Sequence, residues 1–471
     1  MKKGADLILA MCPGWGVIQP PAGISYLKGF LKEHGVGVKC LDLNLDFYKS
    51  FPNKEYWDLN TPEPFIHPDL FNKDILPDLS GRIDRWAEDI LSNNPIAVGL
   101  SLFMSSINAS LVLAKRLKEL NPDLPIIGGG AEVYRMKRIF IDGVSEFSPI
   151  KTEAVSEKYF DILVLGEGEA TLLELLNTLK AKSGLNNVKG IMYHHNDNLI
   201  LNNPRDFIED MDTLCPPDYG DFLLSGYTKK SLPVCTSRGC INRCTFCSDR
   251  PLWKTYRFRS PQKVIYDIEQ LVLEYKINGF EVIDSNFNGD MQRLAQICDL
   301  IIKSGLQIEW SAKVSLREEL SFKVLCKMRQ AGCSSLAYGL ESGSPGVLED
   351  MRKNINLKTA ERIIRDTHRA GIHANCFFII GYPTETEEDF QMTLDFIQKN
   401  ANYINRFDQI TGCHIEEDSY LGLNAEKYGI VFKDDGWHSR ESTPVIRKER
   451  LERFKEFARK LHQHYNCQVQ G

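Results

Sequence analysis

Short apolar runs alternate along this chain with stretches whose apolar residues recur at helical spacing. Residues 6–11 read as a buried strand, 22–33 as a helix ended by His34-Gly35, and 36–43 as a second strand. Residues 44–80 are rich in Asn, Pro, Asp and aromatics without a clear period and are expected as a long excursion. Alternation resumes with a helix over 82–93, a strand over 96–102, a helix over 107–120, strands over 125–128 and 162–165, and a helix over 170–179. Strands alternating with helices of this length predict a doubly wound parallel sheet, whose ligands sit beyond the carboxyl ends of the strands. Those ends are Pro13-Gly14-Trp15-Gly16, the run 101–106, Gly128-Gly129-Gly130 and Gly166-Glu167-Gly168.

The pattern changes after residue 185. Residues 188–195 read as a hairpin strand; the adjacent His194 and His195 would point to opposite faces and suit an exposed hairpin better than a metal site. The stretch 204–217, with its acidic residues and prolines, is linker-like. A strand-then-helix repeat follows: helix 262–275, strand 279–284, helix 291–304, strand 308–314, helix 322–331, strand 334–340, helix 357–370, strand 373–380, helix 387–399 and strand 409–415. Residues 447–465 form a basic amphipathic helix that is expected to dock on its own domain rather than on a membrane.

Composition adds bounds. A chain of 471 residues that is 43% hydrophobic and 25% charged suits two or three globular domains. A net charge of −6 argues against a general nucleic-acid binder. The first residues read as an opening strand rather than a signal peptide, and no eighteen-residue apolar stretch exists to span a membrane. Thirteen scattered cysteines are an odd number and fit a reducing cytoplasm.

Three of those cysteines carry the chemistry. Cys240, Cys244 and Cys247 form a C-x3-C-x2-C triplet, which brings three thiolates within reach of one metal centre. No second hook follows to complete a zinc site. A cubane iron–sulfur cluster that only carries electrons takes four thiolates, so three suggest a cluster with one iron open to a small molecule. Cys235 reads as a structural strand cysteine.

With Arg238-Gly239 before it and Phe246 before its last cysteine, the triplet resembles the cluster motif of the radical S-adenosylmethionine (SAM) superfamily. The resemblance implies a [4Fe–4S] cluster whose open iron is chelated by SAM, and an external electron donor such as flavodoxin or ferredoxin. It also implies a partial (β/α)6 barrel, which the repeat of about thirty residues suits, with its site at the carboxyl ends of the strands. By that resemblance Phe246 meets adenine, Ser285 and Asn286 meet the SAM amino group, and Lys313 pairs with the carboxylate, with Arg317 as its competitor. Tyr338-Gly339-Leu340-Glu341-Ser342-Gly343 matches the family's fourth-strand run, where Glu341 and Ser342 accept from ribose or the amine. The run 377–383, with Ile380 and Gly381, resembles the adenine segment. At the sixth strand the chain departs from the family's Pro-Gly-Thr run, with His414-Ile415-Glu416-Glu417-Asp418-Ser419-Tyr420. Cys413 and His414 are candidate substrate-side groups there.

The first domain is similar to the cobalamin-binding domain of one large branch of that superfamily, through Pro20-Pro21-Ala22-Gly23, the Gly128-Gly129-Gly130 turn and the Gly-Glu-Gly-Glu run. The histidine loop D-x-H-x-x-G of other cobalamin proteins is absent. Cobalamin, if bound, is expected against Gly14, Trp15, Gly16, Ser101, Met104, Ser105, Gly128, Gly129, Gly130, Gly166 and Glu167, with no histidine below the cobalt. The expected α/β architecture is therefore a Rossmann-like doubly wound domain of cobalamin-binding type (1–190), a linker and hairpin (191–230), a partial TIM-like barrel (231–430) and a short helical tail (431–471). The resemblance implies a 5′-deoxyadenosyl radical and cobalamin-dependent methylation of an unactivated carbon in a small-molecule substrate. The alternatives are a cyclase or rearrangement enzyme with a vestigial cobalamin domain, and an iron–sulfur electron carrier or sensor.

Overall fold

A computed structural model describes residues 4–58, 63–141, 159–196, 198–416, 418–433, 435–465 and 468–469. They form two compact units, 4–209 with 213–230, and 210–212 with the chain from 231 onward.

In the first unit, five parallel strands run in the order β2-β1-β3-β4-β5. These are β1 (Leu7–Met11), β2 (Val38–Asp42), β3 (Ala97–Ser101), β4 (Ile126–Gly129) and β5 (Ile162–Val164). β1 is buried throughout, as its unbroken apolar run requires of a strand covered on both faces. Helices α1 (Ala22–Glu33), α2 (Leu43–Ser50), α3 (Leu76–Ser92), α4 (Ile107–Leu120), α5 (Glu132–Phe140) and α6 (Gly168–Lys180) make the longer connections. The hairpin β6 (Ile191–His195) and β7 (Asn198–Leu201) extends the same sheet, β6 pairing antiparallel with β5. Its buried Ile191, Met192 and Tyr193 explain why it joins the sheet rather than standing with the linker. Chain order reverses between β1 and β3, which makes their carboxyl ends the topological switch point.

The excursion over 44–80 differs from expectation. It contains α2, and α3 starts at Leu76 because Pro77 sits in the first turn, where its missing N–H costs nothing. Phe47, Trp57, Phe65 and Trp86 pack ring against ring to anchor it, an arrangement built on contacts distant in sequence.

The second unit carries a seven-stranded parallel sheet in the order β14-β13-β12-β11-β10-β9-β8. The strands are β8 (Ser231–Val234), β9 (Gly279–Val282), β10 (Glu309–Val314), β11 (Cys333–Glu341), β12 (His373–Ile380), β13 (Arg406–Gly412) and β14 (Gln468–Val469). Between them lie α7 (Pro261–Tyr275), α8 (Met291–Ser304), α9 (Phe322–Gln330), α10 (Leu357–Arg369) and α11 (Glu387–Asn400), the sequential strand–helix order of a partial barrel. Each helix starts where its sequence supplies a cap: Ser260 and Asp290 accept from the first-turn N–H groups of α7 and α8, and Thr386 with Asp389 forms a capping box on α11. α12 (Pro444–Tyr465) docks through Phe454, whose ring meets Phe378 and Phe407 on β12 and β13.

Candidate functional site

The triplet lies between β8 and the short helix Asp249–Trp253, and Cys240, Cys244 and Cys247 line one concavity with Gly239, Asn242 and Trp253. Among the described residues no three His, Cys, Asp or Glu side chains are set to hold a single metal ion. The three half-buried thiols share one rim, and three cysteines with no fourth ligand suit a cluster that keeps one iron open. Burial pushes the Cys247 thiol up to about 12 and raises that of Cys244, a penalty on the thiolate that metal coordination would offset.

The loop is fixed from below by Asp284, at the end of β9. Its buried carboxylate accepts from Thr236 N, Thr236 Oγ1 and Ser237 Oγ, each at 2.6 Å. Arg293 on α8 donates to Thr236 O at 2.9 Å and to Arg259 O at 2.8 Å. These contacts hold the chain three residues before Cys240 in one conformation.

Around this loop the strand ends supply the other expected groups. Asn286 is 1% exposed, and its amide N and O have no hydrogen-bond partner among the described residues. Burying such an amide unpaired is costly, so a polar ligand group fits there. Ser285, next to it, is half-buried. Glu341 ends β11 at φ +69°, a left-handed conformation that a non-glycine residue adopts under strain. Its Oε1 receives a 3.0 Å ion pair from Lys353, whose ammonium lies 5.9 Å from the centre of the Phe246 ring. Burial works to depress the Lys353 pKa, but the Glu341 carboxylate and the thiols of Cys244 and Cys240 outweigh it and raise the pKa. Phe246 and Ile379 pack on the apolar cluster of Tyr382, Cys413, Ile415, Leu421 and Trp437.

Several expectations change. Ile380 is fully buried, and its carbonyl accepts from Cys413 N at 2.7 Å. Strand alternation places Ile380 with Phe378, on the face that packs α12, and leaves Ile379 on the opposite face, toward the apolar cluster that Phe246 also packs on. The Ser342 hydroxyl meets Thr393 Oγ1 and accepts from Ser344 N, so it ties the turn to α11. Arg317 spends its guanidinium on the carbonyls of Asn288 and Gly289 and on Glu319. Lys313 is exposed and makes no side-chain hydrogen bond or ion pair among the described residues. His414 is exposed, 3.6 Å from Glu416, and Cys413 is enclosed in the apolar cluster; Glu417 lies outside the described residues. Lys353 and Asp284 were not expected from sequence.

In the first unit the expected residues gather at the carboxyl edge of the parallel strands. Asn44 Oδ1 accepts from Gly14 N at 3.2 Å, Trp15 N at 3.3 Å and Trp57 Nε1 at 2.7 Å, which pins the turn after β1. Gly14 sits at φ +111°, and a Cβ there would lie 2.1 Å from Ser105 O, so the turns after β1 and β3 touch only because it is glycine. Trp15, beside Gly16, stacks on Phe103 with ring centres 4.2 Å apart. Ser101 O accepts from Ser106 Oγ, and Met104 Sδ from Arg135. Gly129 faces open space, while Gly130 and Gly166 are left-handed. Gly128 instead lies inside the sheet, where a Cβ would meet Leu163 and Leu102. The Glu167 carboxylate accepts from Ile208 N at 2.6 Å and so holds the following chain. A rim of glycine turns with stacked rings suits a large flat ligand, and no histidine stands on these turns.

Residues 234–397 match the family model of the Radical SAM superfamily. The chain is 30% identical over 388 residues to an uncharacterised methyltransferase of Pyrococcus horikoshii, covering 82% of this chain and 74% of that relative. It is 27% identical to an anaerobic magnesium-protoporphyrin IX monomethyl ester cyclase of Rubrivivax gelatinosus, over 82% of this chain and 63% of that one. In fold it resembles the radical SAM methyltransferase TsrM of Kitasatospora setae, solved with cobalamin and a [4Fe–4S] cluster. The TM-score is 0.67 at 16% identity, covering 94% of this chain and 82% of that one.

Proposed function

Because this chain belongs to the radical SAM superfamily and shares its fold with a methyltransferase solved with cobalamin, we propose that it methylates an unactivated carbon of a small-molecule substrate, with a first domain of the cobalamin-binding kind. The observation that carries the SAM-cleaving part of this reading is the meeting of the three-cysteine rim with the Glu341–Lys353 pair and Phe246 near the strand ends of one sheet, and the likeness to a methyltransferase supports methyl transfer.

Cys240, Cys244 and Cys247 would hold the cluster, which supplies the electron that splits SAM into methionine and a 5′-deoxyadenosyl radical. The unpartnered Asn286 amide and the Glu341 carboxylate would take the SAM amino group, and the Lys353 ammonium its carboxylate. Phe246 and Ile379 would bound the adenine side with apolar surface that excludes water. Gly14, Trp15, Gly129, Gly130 and Gly166 would hold cobalamin, which supplies the methyl group. An external one-electron donor completes the set, and a reducing cytoplasm is the proposed compartment, consistent with the free cysteines. No helix among the described residues is long and apolar enough to cross a membrane.

The test is equilibrium binding of hydroxocobalamin to anaerobically reconstituted protein, followed by product analysis. Binding together with S-adenosylhomocysteine formation supports methylation. An intact cluster with no cobalamin bound would favour a second reading, ring closure by a vestigial-domain enzyme, which the likeness to the cyclase supports.

A further inference from the structure

The carboxyl-terminal segment grips the turn after β12 more closely than docking a helix requires. Gly381 is left-handed at φ +77°, and a Cβ there would lie 2.3 Å from Cγ of Arg447. Its carbonyl accepts from Ser442 Oγ at 2.7 Å, and its N–H donates to Glu385 Oε2 at 2.7 Å. Arg450 of α12 donates to Glu385 O at 2.8 Å and approaches Glu385 Oε2 at 3.4 Å. Ser439 Oγ donates to Pro383 O at 2.6 Å. Arg447 lies 3.6 Å above the Trp437 ring. The Gly381 N–H and carbonyl and the carbonyls of Tyr382 and Pro383 are thus tied to Ser439, Ser442 or Glu385.

The next residue carries the constraint onward. The Tyr382 hydroxyl meets Thr245 Oγ1 at 2.8 Å and donates to Asp350 O at 3.2 Å. Thr245 is fully buried between Cys244 and Phe246; its N–H donates to Met351 O and its carbonyl accepts from Leu421 N. A continuous set of hydrogen bonds therefore runs from α12 through Glu385, Gly381 and Tyr382 into the cysteine loop.

We propose that Arg450 and Ser442 are positioning residues for the loop over 240–247, acting through the Gly381 turn and the Tyr382–Thr245 hydrogen bond. The carboxyl-terminal helix is then part of the site's framework rather than an appendage. Its importance for cofactor rests on the reading of that loop as a cluster site, whereas the mechanical coupling does not.

Amide hydrogen exchange of peptides covering 240–248 and 381–385 tests the coupling in the full chain. Arg450→Met and the milder Ser442→Ala should both speed exchange in the two peptides by about tenfold, the effect of losing about one buried hydrogen bond. Tyr382→Phe should speed only the 240–248 peptide. The Arg450→Met/Tyr382→Phe double variant should exchange at 240–248 no faster than the faster single variant, as expected for two members of one chain of contacts. If Arg450→Met does not fold, Ser442→Ala and Tyr382→Phe decide. Unchanged exchange at 240–248 in Tyr382→Phe and Ser442→Ala, or additive acceleration in a folded double variant, overturns the proposal. SAM added to the reconstituted wild type is a separate arm: no protection of either peptide would count against the cofactor reading and leave the coupling result standing.

Discussion

Glu341 and Lys353 form a 3.0 Å ion pair beside the cysteine loop. Glu341 is buried and the Lys353 side chain nearly so, and the loop that carries Lys353 passes through left-handed Arg352 and Asn354 on either side of it. Replacing Lys353 with Met leaves a buried carboxylate unpaired and should cost about 3 kcal/mol in denaturant unfolding of the apoprotein. In reconstituted protein the same variant should lower the cluster's reduction potential, read by redox titration, because a nearby positive charge that favours the reduced state is gone. A second residue reports through pH. Burial pushes the Glu385 carboxyl up to about 7. Below the ordinary carboxylate range this group contributes its full stability, which is lost as pH rises through about 7, where the folded state releases its extra proton. The thermal midpoint of wild type should therefore fall more between about pH 5 and about pH 8 than that of Glu385→Gln, which keeps an acceptor for Gly381 N. The cysteines were legible from sequence because their spacing is local. Lys353 and Asp284 were not, since their roles depend on partners 12 and 48 positions away.

Elements place these residues. Asp284, Ser285, Asn286 and Glu341 lie at or just beyond the carboxyl ends of parallel strands, so the strand–helix period was enough to say where a candidate site should be sought. It was not enough to say which side chains face it. One step of register separates Ile380, on the helix-facing side, from Ile379, which packs on the same apolar cluster as Phe246, and an apolar run such as 376–380 carries no alternation to choose between them. The excursion over 44–80 was illegible for a related reason, because its short helices are held by aromatic contacts to α3 and by the Asn44 hydrogen bonds. At this scale Asp284 joins β9 to the chain entering the cysteine loop. Asp284→Ala would orphan three buried donors at about 1–3 kcal/mol each. We expect a loss of about 3 kcal/mol or more in unfolding free energy, with iron incorporation reduced even where the protein stays folded. Near-normal stability and full iron content in that variant would remove Asp284 from the loop's support.

The whole molecule joins a doubly wound unit, with its glycine turns at the β1/β3 switch point, to a parallel-stranded unit with its cysteine rim at the strand ends. In both, the candidate groups gather toward the carboxyl ends of parallel strands, where ligands of such sheets sit, and the alternation of strands and helices alone made that fold class readable. The central claim is that the three-cysteine loop holds one cluster that cleaves SAM, and one comparison tests it most directly. Wild type and the Cys240→Ala/Cys244→Ala/Cys247→Ala variant are reconstituted without oxygen, assayed for iron and sulfide, then reduced and incubated with SAM. The account predicts about four irons per wild-type chain and release of 5′-deoxyadenosine, with both lost in the variant. A variant that keeps its iron and sulfide, or a fully loaded wild type that leaves SAM intact, would contradict it.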